Sequence, residues 1–393
     1  MRRDLLIRAS FLYLFALIIA DVSVMAQARR PGGRWLERER QGLAQPFKGV
    51  TMDGKVVPGL FEIRATGVST EPMLKAAKAF LNGLDKAQRG KATFPIDSNE
   101  WRKWGNVHAY PRDGVSFENL NEKQRELAYD LFKASLSAKG VQKTLNIMKL
   151  NETLAELTGR HSEYSRWMYY LSFMGEPSST KPWGWQLDGH HCIINYFVLG
   201  DQVVMAPVFV GSEPVHAKSG KYQGTIIMQE AQDKALAFVR SLSKAQQAKA
   251  ILSREKTGNH NQLEMFHDNE VVPYAGIKAG ELSYKQKELL IGVIGEFVGT
   301  LKGDHARVKM DEVKKHLDDT RFAWIGGTSD DSVFYYRIHS PVIIIEFDHQ
   351  RPIALGGRGS PPTRDHIHAV IRTPNGNDYG KDLLRQHLAK EHR

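Results

Sequence analysis

Two short stretches place metal-ligating side chains at strand-like spacing. The segment DGHHC, residues 188–192, sets His190 and His191 side by side at the start of an apolar run, and HIH, residues 366–368, supplies two more histidines. Side chains alternate between the faces of a strand, so His366 and His368 share a face while Ile367 points the other way. In VIIIEFDHQ, Glu346 and Asp348 share a face in the same manner, opposite Ile343, Ile345 and Phe347. Imidazoles with carboxylates suit a divalent transition metal, zinc first, with copper, iron or manganese as alternatives. The expected ligands are His191, His366, His368 and Glu346, with Asp348 as a further ligand or general base. His190 is expected as a hydrogen-bonding or catalytic neighbour, and one strand bulge would exchange it with His191. Metal-free acid and base catalysis, or a polar cluster that only staples the fold, are the competing uses of the same residues.

Other residues are placed around this site. Glu213 in GSEP and Asp378 in NGNDYG follow the last strand of two similar blocks, where turn chemistry can bring them to the rim. Tyr335, Tyr336 and Arg337 lie on a strand beside the carboxylates. Tyr336 is expected at the rim, and Arg337 either binds an anionic group or pairs with Glu346 or Asp348. Cys192, the sole cysteine, sits in an apolar strand and reads as an inert buried thiol; alone it excludes an intramolecular disulfide. No G-x-S-x-G or S-x-x-K nucleophile motif occurs.

The elements that must hold these residues recur in order. FLNGLDKAQRGKA, residues 80–92, is echoed by FVRSLSKAQQAKA, residues 238–250, and LNEKQRELAYDLF, residues 120–132, by LSYKQKELLIGVI, residues 282–294. A strand block follows each helical pair, and setting Gly175 on Gly326 brings Trp185 onto Tyr336, His191 onto Val342 and Asn195 onto Glu346 without a gap. The expected fold is α+β: two similar halves, each a helical pair followed by antiparallel strands, related by an internal duplication. Residues 71–227 and 228–393 form the halves of one compact unit, with a binding cleft between them, after an arm over residues 27–70.

At 393 residues with 41% hydrophobic and 25% charged content, the chain can bury a large core. Residues 1–26 read as a secretory signal peptide: Arg2, Arg3 and Arg8, then ASFLYLFALIIA, then Val24 and Ala26 before Gln27. Its removal takes three Arg with Asp4 and Asp21, so the formal charge falls only from +10 to +9. A basic, secreted or periplasmic protein with no membrane span after cleavage is expected. Its partner is a small-molecule or polymeric substrate, polar or anionic. Nucleic acid is not an expected partner, since no recognition-helix or RNA-binding sheet signature occurs.

WGWQLDGHHCIINYFV, PVFVGSEP, FAWIGG, YYRIHSPVIIIEFD and HIHAVIRTPNGNDYGKDLL, in that order, resemble the family catalogued as domain of unknown function 3500. The resemblance spans roughly residues 73–387 and implies an exported protein whose GHH, E-x-D, H-x-H and N-D-Y-G elements belong together; it implies no reaction. From the residues themselves, the leading expectation is a metal-dependent hydrolase. A copper or non-haem iron oxidoreductase and a non-catalytic envelope ligand-binding protein are the alternatives.

Overall fold

A computed structural model describes residues 33–357 and 359–391; the signal segment expected over residues 1–26 lies outside them. In chain order the helices are α1 (Gly33–Leu43), α2 (Glu71–Gly83), α3 (Lys86–Ala92), α4 (Glu122–Ser135), α5 (Ala138–Thr158), α6 (Gln229–Ser241), α7 (Lys244–Ala250), α8 (Tyr284–Val298), α9 (Gly303–Lys315) and α10 (Lys381–Glu391). The strands are β1 (Thr93–Phe94), β2 (Val115–Ser116), β3 (Tyr169–Met174), β4 (Trp183–Gly189), β5 (Cys192–Leu199), β6 (Gln202–Ser212), β7 (Ile251–Ser253), β8 (Ile277–Lys278), β9 (Arg321–Gly326), β10 (Phe334–His339), β11 (Ile344–His349) and β12 (Ile367–Arg372). No described helix is long and apolar enough to cross a membrane.

The strands form one sheet in the order β1-β3-β4-β5-β6-β12-β11-β10-β9-β7, with β2 beside β3 and β8 beside β9. The fold is therefore mixed α+β, and the outer pairs β1·β3 and β7·β9 are parallel, where antiparallel pairing alone was expected. Between each outer strand and its parallel partner the chain passes through two helices, α4 and α5 on one side and α8 and α9 on the other, the long crossover that parallel pairing requires. Both blocks of strands join edge to edge through β6·β12, where Gly211 pairs with His368.

Local chemistry explains the helical starts. Asp85 with Gln88, Asn121 with Gln124, Ser243 with Gln246, and Ser283 with Gln286 each close a capping box. Each box satisfies backbone N–H groups that the first helical turn leaves unpaired. The capping glutamines then bond each other, Gln124 to Gln88 at 2.7 Å and Gln286 to Gln246 at 2.9 Å, fastening each helical pair.

Alternation sorts the strand residues between two cores. One face packs Trp185, Tyr196, Trp324, Tyr336 and Phe347 under the helices; the other packs Ile193, Phe197, Phe209, Ile344 and Val370 against Trp101, Trp104, Leu263 and Tyr379. Cys192 is buried on the helical face, and burial pushes its thiol up to about 12, in keeping with an inert role. The arm, read as extended but for one short helix over residues 34–43, carries α1 there and then supplies Val50 and Phe61 to the second core.

Candidate metal centre

His190 and His191 make up the two-residue turn between Gly189 and Cys192, the pair that closes β4 and β5. His191 adopts φ +63°, a left-handed conformation that a side chain enters at a cost of roughly 1–2 kcal/mol. Its ring stacks on His190 at 3.9 Å between centroids, and its carbonyl accepts from Gly211 N at 2.9 Å. That bond delivers the turn to the seam where Gly211 faces His368. A side chain at Gly211 would meet the Ile367 carbonyl at 2.3 Å, so glycine is what lets the histidine strand come this close.

Here the rings of His191, His366 and His368 converge, with one ligand atom from each lying within 4.8 Å of the others. His366 Nε2 is 3.3 Å from His191 Nε2 and 3.0 Å from His368 Nε2. The opposite ring nitrogens assign the tautomers. His366 Nδ1 donates to the Arg351 carbonyl at 2.7 Å, and His368 Nδ1 donates to Glu264 Oε1 at 2.7 Å. Both Nε2 atoms consequently present lone pairs to each other across 3.0 Å. Burial makes a shared proton unfavourable: it pushes the His366 imidazole down to about 3 and that of His191 well below its usual value. A cation held between them would resolve the conflict. Nitrogens bound at 2.0–2.1 Å around a tetrahedral zinc stand roughly 3.3 Å apart, close to both spacings. The three imidazoles thus fit a transition metal, and each of the two with an assigned tautomer has the outer hydrogen bond that fixed metal ligands require.

Glu264 is the site residue that strand parity does not reveal. It accepts His368 Nδ1–H at 2.7 Å and the amides of Asn261 and Asn106 at 3.1 Å each. It arrives on the segment between β7 and β8, and the predicted carboxylates hold that segment in place. Glu346 Oε2 accepts from Gln262 N at 2.9 Å and Leu263 N at 3.0 Å, while Oε1 accepts from Tyr335 OH at 2.6 Å. Asp348 Oδ2 accepts from His260 N and Asn261 N, and its other oxygen meets Lys256 at 2.8 Å. Glu346 is therefore outside the converging ligand atoms, although expected among them, and Asp348 is likewise occupied by anchoring. Arg337, directly across the strand from Glu346, bonds Gln262 Oε1 and the Pro273 carbonyl.

The remaining expected residues separate. His190 stays beside the centre, donating Nδ1–H to Asn151 Oδ1 at 2.8 Å and stacking on Tyr164. Glu213 lies 3.7 Å from His366 Nδ1. Asp378, expected at the rim, is fully buried and holds Arg372 at 3.0 Å and Thr373 N at 2.7 Å. Tyr336, also expected at the rim, points into the helical core, where it stacks on Phe347 at 5.0 Å, because alternation sets it opposite Tyr335.

No curated protein and no solved structure matches the chain. The family described as "Protein of unknown function (DUF3500)" matches residues 66–381, which span both strand blocks and all three converging histidines, and the chain belongs to that family.

Proposed function

We propose that the chain is an exported metal-dependent enzyme of hydrolytic type that acts on a polar or anionic substrate. One observation carries this reading: two imidazoles, their tautomers set by Arg351 O and Glu264, aim lone pairs at one point 3.0 Å apart. A third, His191, joins them from a strained turn. Strained backbone concentrates where function demands a geometry that folding alone does not favour. Three protein ligands are the number found in catalytic zinc sites, whereas structural sites close with four. A metal held there supplies Lewis acidity and an activated water.

The residues of the chain do the rest. Glu264 and the Arg351 carbonyl keep two rings in orientation, and Asp348 with Glu346 keeps Glu264 in reach. With its Nδ1–H on Asn151, His190 presents an unprotonated Nε2 beside the centre, where burial keeps the ring neutral, and it is assigned the role of hydrogen-bond acceptor there. Export rests on the basic start and short apolar run of residues 1–26.

We also infer that the two strand blocks are duplicates. The shift that sets Gly175 on Gly326 carries the pair Trp185–Tyr196 onto Tyr336–Phe347, and each is a stacked ring pair. Matching capping boxes on α3 and α7, and on α4 and α8, support the same reading.

The test is the metal content, by mass spectrometry, of mature protein purified without an affinity tag, beside the His366→Ala, His368→Ala double variant. A near-stoichiometric ion in the first and none in the folded second is expected, and the identity of the ion selects hydrolytic or redox assays. No ion in the wild type after reconstitution with zinc, iron, manganese and copper overturns the reading.

A further inference from the structure

We propose that Glu213 is a positioning residue of this centre: its carboxylate clamps residues 353–355 across the histidines and so holds the Arg351 carbonyl on His366. The inference rests on the metal reading above.

Glu213 follows the last residue of β6 and is only 3% exposed. Its oxygens accept from three successive backbone N–H groups: Ile353 at 3.1 Å, Ala354 at 3.0 Å and Leu355 at 2.9 Å. Such charge-assisted bonds are about twice as strong as neutral ones, and consecutive N–H groups form a concave anion seat. The side chains of the loop supply little of this hold, since Ile353 is 70% exposed and Leu355 41%. Arg351 is also held, its N–H by Asn259 Oδ1 at 2.9 Å and its guanidinium by the Thr257 carbonyl, and the Glu213 carboxylate is the tether of the residues that follow, 353–355.

The path of the loop explains what the tether controls. It leaves β11 beside His366, where Arg351 O receives Nδ1–H, and reaches Ala354, which packs on Leu154, Ala155 and Tyr164. Tyr164 stacks on His190, and His190 on His191. The clamped loop thus bridges the strand that supplies two ligands and the turn that supplies the third.

A second consequence concerns the donor strength of His366. While the loop is held, Nδ1–H has a neutral carbonyl as partner, and Glu213 Oε2, at 3.7 Å, is occupied by the loop. Once the loop leaves, that carboxylate becomes the nearest acceptor. His366 then acquires the carboxylate partner that His368 already has in Glu264, and outer partners of this kind tune metal affinity 10- to 100-fold. Loop position and ligand basicity are coupled through one side chain.

The experiment uses full-length mature protein loaded with cobalt(II), following its visible absorption at full occupancy and the rate at which a chelator removes it. Wild type is compared with Glu213→Gln and Ile353→Pro. The first puts an amide N–H against N–H donors; the second deletes one donor at an exposed position and so remains informative if the first fails to fold. Each variant is expected to bind one cobalt and to show a shifted spectrum; Glu213→Gln, which leaves no carboxylate for His366, is expected to lose the metal at least tenfold faster. Full occupancy with spectrum and release rate unchanged in the folded variants overturns the clamp and leaves the metal reading standing. Failure of wild type to take up cobalt or any of the four reconstituting metals overturns both.

Discussion

Two hairpins of the sheet share a register and differ in what their turns and polar pairs do. In β4–β5 the turn is His190–His191, and in β10–β11 the same shift sets Pro341 and Val342 in those places, closed by Ser340 N on the Ile343 carbonyl at 2.9 Å. His191 is left-handed, whereas Val342 is fully buried and its backbone lies outside the left-handed region. One turn accepts strain to aim a ligand; the other is an ordinary core turn. The polar pairs diverge as well. Gln186 Nε2 bonds Asn195 Oδ1 at 2.7 Å and the Trp101 carbonyl at 3.1 Å, holding the covering loop with neutral groups. At the equivalent places Arg337 and Glu346 hold the other covering loop with ionisable groups. A loop over this sheet is thus anchored by neutral amides in one hairpin and by titratable side chains in the other, and only the second anchor introduces pH dependence.

That pH dependence gives the largest expected effect. Burial raises the Glu346 carboxyl from 4.5 to about 7, so the folded state holds a proton that the unfolded chain releases. Its contribution is fully present below pH 4.5 and is lost as the pH rises toward 7, by up to about 3 kcal/mol. Urea melts of wild type and Glu346→Gln across pH 4 to 8 should differ in slope over that window, and Asn195→Asp should bring a similar slope to the other hairpin. Parallel curves for wild type and Glu346→Gln would remove the distinction between the anchors.

The turns offer a contrast of sign. Val342→Gly should cost about 2–3 kcal/mol through lost burial and a cavity. His191→Gly should gain up to about 1 kcal/mol by relieving the left-handed strain while abolishing stoichiometric metal binding. Thermal melts and metal content check both, and equal destabilisation would end the claim that only one turn is strained.

A smaller effect tests where the two covering loops meet, Asn106 Nδ2 on Glu264 Oε2 at 3.1 Å. Glu264→Gln should weaken metal binding about tenfold through His368, whereas Asn106→Ala should change it by less than half that on a logarithmic scale. Competition with a chromogenic chelator reads both.

Much of this centre was legible from spacing. Parity paired His366 with His368, and the echo of the strand blocks preferred His191 over His190. The same parity grouped Glu346 and Asp348 with the histidines, because a strand face says nothing about which loop will cover it. Backbone N–H groups of residues 260–263 occupy those carboxylates. Glu264 was hidden for the same reason: 104 residues of chain separate it from His368, and no periodicity links a loop glutamate to a strand so distant. Tyr336 shows the opposite failure, since strict alternation already assigned it to the side of Phe347.

The ends of the sheet have a consequence for the life of the protein in solution. Among the described residues its border strands are short, Thr93–Phe94 and Val115–Ser116 at one end and Ile251–Ser253 and Ile277–Lys278 at the other, while the long apolar strands such as Cys192–Leu199 are hydrogen-bonded on both sides. Little unpaired backbone is left to recruit another chain, so a wide, aromatic-rich sheet is protected from growing into an aggregate by the brevity of its borders.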